Sequence, residues 1–135
     1  MSRKHSWWVA YYLLFAVFLT TAALNMLRIR GGFFTNYAAD LVVPAWLYIG
    51  SRGLHSLRGR TTFIQRMIGR TPELAALCLF VGSALTEISQ IFWPHGVFSG
   101  RFDSFDIVAY ACGLGVCYAA DKVWADNRSP AASAA

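Results

Sequence analysis

The sequence predicts an all-α fold: an integral membrane four-helix bundle with both termini on the cytoplasmic side. Three observations carry this expectation. Of the 135 residues, 56% are hydrophobic and only 14% charged, where a soluble domain usually carries about 25% charge. The apolar residues gather into four runs, each long enough or nearly long enough to cross a hydrocarbon core of roughly 30 Å. The basic residues fall unevenly between those runs. A chain of this length is too short for two ordinary domains, and its wealth of burial-driving residues excludes a disordered chain. Residues 1–128 therefore read as one transmembrane domain, and 129–135 as a disordered tail with nothing to bury.

The first span, about 7–27, carries no charge. Its basic start, Ser2-Arg3-Lys4-His5, also suits the n-region of a secretory signal, but the apolar stretch is longer than a usual signal core and more apolar runs follow. The second, 33–50, is interrupted by Asp40 and Pro44, and between two strong spans it reads as a tilted or kinked helix. The third, 73–93, is the best delimited. Thr71-Pro72-Glu73 supplies an N-cap, a proline at the first helical position and an acid in the first turn, and Pro94 stops the helix. The fourth, about 105–120, ends at Asp121 and Lys122.

With the N-terminus inside, nine basic residues fall on the inner side and three, Arg28, Arg30 and Arg101, on the outer. The positive-inside rule thus places both termini in the cytoplasm. Ten of the twelve basic residues are Arg, most of them in short segments between apolar runs. That placement sets orientation and contacts anionic head groups, so the net charge of +5 is no sign of a nucleic-acid partner. Between the second and third spans, Phe63, Ile64, Met67 and Ile68 share one helical face, and Gln65, Arg66 and Arg70 occupy the rest. The pattern predicts a short amphipathic helix on the cytoplasmic face; a plain basic loop is the alternative. The three cysteines, Cys78, Cys112 and Cys117, lie in apolar runs without CxxC spacing and read as small packing residues.

The polar residues on the outer side are the informative ones. Glu87 lies about six residues, or roughly 9 Å, below the outer end of the third helix. A carboxylate at such depth normally faces the bundle interior with a partner. Ser83 and Gln90 share its face, while Cys78, Gly82 and Thr86 form a small-residue stripe suited to close packing. Asp103 and Asp106 stand where the fourth helix begins, so capping and the helix dipole are the bland reading of both; Tyr110 and Gly113 follow Asp106 on one face. Arg101 is the natural counter-ion for Glu87. Asn36, Tyr37 and Asp40 add polar groups at the outer end of the second helix, and Arg28 and Arg30 add charge at that of the first. Such a set predicts either an ion-pair network tying the helices together or an outward-facing pocket for a charged head group.

These residues also carry a resemblance. Glu87-Ile88-Ser89-Gln90, then Gly100-Arg101-Phe102-Asp103-Ser104-Phe105-Asp106-Ile107, then Gly113-Leu114-Gly115 resemble the signature of VanZ-like bacterial membrane proteins, with a weaker likeness at Asn36-Tyr37-x-x-Asp40. The family often has Asn where Tyr110 stands, and often a further span. The resemblance implies a multi-pass protein of the bacterial cytoplasmic (inner) membrane, in a family named for low-level resistance to a glycopeptide antibiotic. It would carry over Glu87, Gln90, Arg101 and Asp106 as the positions to test, and supplies no reaction.

No phosphate loop, HExxH, histidine pair at ligand spacing or nucleophile elbow is present. A hard cation held by Glu87, Asp103, Asp106 and His95 is conceivable, but a solvated loop histidine is the simpler reading; no metal or cofactor is expected. Two functions follow. In the first, a non-enzymatic envelope protein binds a membrane lipid or a lipid-linked cell-wall precursor through Glu87, Gln90, Arg101, Asp103, Asp106, Asp40, Asn36 and Tyr110. In the second, a small membrane enzyme acts on a lipid head group with Glu87 as general base. The faces Ala109-Gly113-Cys117 and Ala111-Gly115-Ala119 are expected to serve, one inside the bundle and one against a second subunit.

Overall fold

The computed structural model describes residues 3–29, 32–56, 62–93, 95 and 102–126, and of 3–5, 33–36 and 125–126 the backbone alone. Among the described residues the chain is all helix, as expected: α1 (Arg3–Met26), α2 (Phe33–Arg52), α3 (Phe63–Met67), α4 (Pro72–Phe92) and α5 (Ser104–Asp126). Segments Ser6–Met26 of α1 and Pro72–Phe92 of α4 are long and apolar enough to cross a membrane. With 20 and 23 residues, α2 and α5 have the length, about 30 Å or more at 1.5 Å per residue, but α2 carries Asp40 within it and α5 carries charge at both ends. The tail 129–135 lies outside the described residues.

Local chemistry sets the helix ends. Thr71 caps α4 by accepting the Leu74 N–H at 3.2 Å, with Pro72 in the first turn, as the sequence predicts. Arg28, at φ 56°, closes α1 in the left-handed conformation usually left to glycine, and Gly53, at φ 66°, closes α2. Helix α5 continues past the expected end at 120 to Asp126. A charged pair ends an apolar run but not a helix when its members find partners, and both do: Asp121 is bound by α2, and Lys122 pairs with Glu73 of α4.

Helix α2 is the hub and packs against each of the other four. Pro44, Tyr48 and Ile49 along it are fully buried. Its main partner, α5, runs parallel to it, because Asp40 meets Tyr110 at one end and Tyr48 meets Asp121 at the other. Next to the Asp40–Tyr110 end, Gly113 lies so close to α2 that a Cβ there would stand 2.0 Å from the Leu41 carbonyl oxygen. Ala109, Gly113 and Cys117 are therefore the buried small-residue face, whereas Ala111, Gly115 and Ala119 are exposed. On α4 the expected stripe is corrected: Cys78 and Gly82 face outward. Ala75, fully buried, and Glu87 define the packed face instead, because the carboxylate needs the bundle interior more than Gly82 needs a close neighbour.

The apolar core gathers at one end, around Trp7, Ala45, Tyr48, Ile49, Ala75, Leu114 and Cys117. There Trp7 of α1 meets Trp124 of α5 edge-on, with ring centroids 4.8 Å apart. A buried polar lock closes the same end. Asp121 accepts from Tyr48 at 2.9 Å and from Arg52 Nε at 2.7 Å, and Arg52 Nη1 donates to the Gly69 carbonyl at 2.6 Å. Arg52, one of the nine basic residues that the topology counts on the inner side, is thus also a buried structural partner of Asp121.

Helix α3 is present, begun by a capping box between Thr62 and Gln65. Gln65 is the buried residue and donates to the Gly50 carbonyl at 2.9 Å, while Phe63, Ile64 and Met67 are exposed.

Two outcomes are expected in detergent unfolding. Gly113→Ala, which drives a methyl into the Leu41 backbone, costs about 1–3 kcal/mol, whereas Gly115→Ala, with open space around it, stabilises by roughly 0.5–1 kcal/mol. Arg52→Met, which leaves the Asp121 carboxylate buried, costs about 3–5 kcal/mol, and adding Asp121→Asn restores part of the loss.

Candidate functional site

At the end opposite the lock, α2, α4 and α5 contribute one polar cluster. Glu87 is only 3% exposed although it is a carboxylate. It arrives there because α4 turns the face of Ala75 and Leu79 inward, and Glu87 continues that face two and three turns on. Three donors meet it. The Tyr110 hydroxyl lies 3.2 Å from Oε1, the Gln90 side-chain amide 3.4 Å from Oε1, and the Asp103 backbone N–H 3.3 Å from Oε2. Each of these bonds is long, and they come from two helices and a helix start, so the carboxylate is held between elements.

Tyr110 is the centre of the cluster. Its hydroxyl also lies 3.3 Å from Asp40 Oδ1 on α2. A phenol has one proton to donate, so it serves Asp40 or Glu87 fully but not both; when it serves Asp40, Glu87 Oε1 keeps the Gln90 amide. Asp103 does what capping predicts and more. Oδ1 accepts the Phe105 N–H at 2.9 Å and its carbonyl accepts the Asp106 N–H at 3.1 Å. Its other oxygen, Oδ2, accepts from the Tyr37 hydroxyl of α2 at 2.9 Å. Asp106 stands in the first turn of α5, within electrostatic reach of Asp40, Glu87 and Asp103.

Of the sequence candidates, the structure therefore brings together Asp40, Glu87, Gln90, Asp103, Asp106 and Tyr110, and adds Tyr37 as a structural partner of Asp103. Asn36 belongs to the first turn of α2, and its side chain lies outside the described residues, as do Arg101 and Arg30. The expected Arg101–Glu87 pair thus falls outside what is described; the donors on Glu87 are hydroxyl, amide and backbone. Arg28 is exposed at the end of α1, and His95 is exposed. Among the described residues no ion pair reaches these four carboxyls, and no group of three His, Cys, Asp or Glu has the arrangement of a metal site.

The lock of Tyr48, Arg52 and Asp121 is what sequence reasoning missed. Its signal is present: Tyr48 and Arg52 are spaced i, i+4 on one face, and Asp121 is the acid at the matching end of the fourth run.

Tyr110→Phe is expected to cost about 1–3 kcal/mol by leaving buried carboxyl oxygens short of a donor. Its effect and that of Asp40→Asn should be non-additive by about 0.5–3 kcal/mol in a double-mutant cycle. Strict additivity would show that the hydroxyl and Asp40 do not interact.

Compared with known proteins, the chain matches no family model, no curated protein and no solved structure.

Proposed function

We propose that the chain is a four-span protein of the bacterial cytoplasmic membrane, with both termini inside, that binds the head group of a lipid or lipid-linked envelope precursor at the Glu87–Tyr110–Asp40 cluster. One observation carries the reading: polar side chains from three helices converge around a single hydroxyl, with more carboxyl oxygens than donors among the described residues. A cluster that served only to glue helices would be expected to saturate itself, as Arg52 and Asp121 do at the other end. Ionisable groups at membrane depth are functional candidates by default. The carboxyl-rich lining of Asp40, Glu87, Asp103 and Asp106 favours a head group that presents an amine or several hydroxyls.

Membrane insertion is supported by the two apolar helices and by large side chains on outward faces, such as Leu13, Leu77 and Val116 at 60%, 61% and 72% exposure. Helix α3, with Phe63, Ile64 and Met67 outward and Arg66 and Arg70 beside them, suits a helix lying on an anionic leaflet. The likeness to VanZ-like proteins and a link to glycopeptide resistance rest on the residue pattern between Asn36 and Gly115 alone.

Native mass spectrometry of wild type beside Glu87→Gln and Arg101→Ala, with unfolding temperature recorded on each, tests the reading. The expected result is a co-purified lipid on wild type that the variants lose without loss of thermal stability. Variants that unfold early, with no lipid on the wild type, would reduce the cluster to structural glue. Loss of turnover of a lipid with its binding intact would replace a binder by an enzyme using Glu87 as base.

A further inference from the structure

Helices α1 and α5 touch at one end only. Trp7 and Trp124 meet there, but the two backbones do not otherwise pack, and α1 rests on α2 alone among the long helices. Toward the polar end the helices part and leave a wedge of about 340 Å³, at the lower end of the roughly 300–1,000 Å³ that ligand pockets occupy. Val17 of α1 forms one wall and Val108 and Cys112 of α5 the other, with Leu41 and Val42 of α2 as the floor. Val17 sits at the middle of Ser6–Met26, so in a membrane the wedge opens sideways into hydrocarbon.

Its upper rim is where the polar cluster begins. Tyr37 and Phe105 line the wedge and meet edge-on, ring centroids 6.2 Å apart. The Tyr37 ring faces the apolar space while its hydroxyl donates to Asp103. One side chain thus joins an apolar slot to a carboxyl-rich site.

We propose that the wedge between α1 and α5 seats one acyl chain of a phospholipid whose head group reaches the carboxyl cluster across Tyr37. This rests on the reading of that cluster as a head-group site. An acyl chain is the occupant that fits: the lining is apolar, the opening faces lipid, and the polar end is at the rim, matching the two parts of an amphiphile. Because bulk lipid is as apolar as the wedge, burial alone gives the tail no preference. Shape and the head-group contacts supply it, so a seated lipid should be distinguishable from bulk lipid by its position.

The test uses wild-type protein in nanodiscs with phosphatidylethanolamine carrying a diazirine at mid-chain, and mass mapping of the cross-links. Adducts at Val108, Cys112 and Leu41 are expected to exceed those at Val81 and Leu85 of α4, which are similarly exposed, by on the order of tenfold. Equal labelling of both faces would overturn the proposal, as would absence of label in the wedge with a dimer present, since a second copy would then be the occupant. Val108→Trp, filling the slot from its open side, should abolish the excess. Should Glu87→Gln leave the excess unchanged, the tail seat would stand and the head-group reading would fall. Loss of co-purified lipid in Glu87→Gln without any excess in wild type would do the reverse.

Discussion

The arrangement depends on the seam between α2 and α5. Two reciprocal hydrogen bonds from tyrosine to aspartate close it: Tyr110 of α5 to Asp40 of α2 at one end, and Tyr48 of α2 to Asp121 of α5 at the other. Between them Gly113 lets the backbones meet at the Leu41 carbonyl. The two bonds are about 12 Å apart along α2 and 16 Å along α5 at 1.5 Å per residue. They fix the register of the two parallel helices at both ends of the seam. Everything else is hung on this pair: α4 brings Glu87 to Tyr110, α3 is latched to Gly50 by Gln65, and α1 lies along α2.

The helices are legible because apolar runs, Thr71-Pro72-Glu73 and the interrupting Asp40 are local signals. Half of the site is legible for the same reason. Glu87 is conspicuous in an apolar run, and Asp103 precedes a helix start. Tyr110 as the centre is not readable in this way, because a tyrosine in an apolar run has an ordinary place at a membrane interface or in a core. Only the approach of α2 and α4 to one point of α5 gives its hydroxyl two carboxyl neighbours. The apolar face of α3 is legible from its periodicity, but the bond that latches it, Gln65 to the Gly50 carbonyl, is not, because that carbonyl belongs to another helix. Gly82 points away from the bundle because Ala75 and Glu87 define the packed face of α4.

A buried polar group is weak evidence for stability and better evidence for specificity or use. The two polar ends of the seam separate these roles by their degree of saturation. At the lock, the carboxylate of Asp121 meets a guanidinium and a phenol, and the guanidinium is further tied to a carbonyl, so charge and donors balance in place. The pair is buried, with side-chain exposures of 9% and 8%.

At the other end the balance differs in kind. Among the described residues four carboxyls share two phenol hydroxyls, one amide and a few backbone N–H groups, and the central hydroxyl stands between two carboxyl oxygens at 3.2 and 3.3 Å. Distances near the outer limit of hydrogen bonding, from donors shared between acceptors, describe a site that is positioned but not saturated. Among the described residues the cluster thus carries more acceptors than the donors it shares, whereas the lock pairs its one carboxylate with a guanidinium and a phenol.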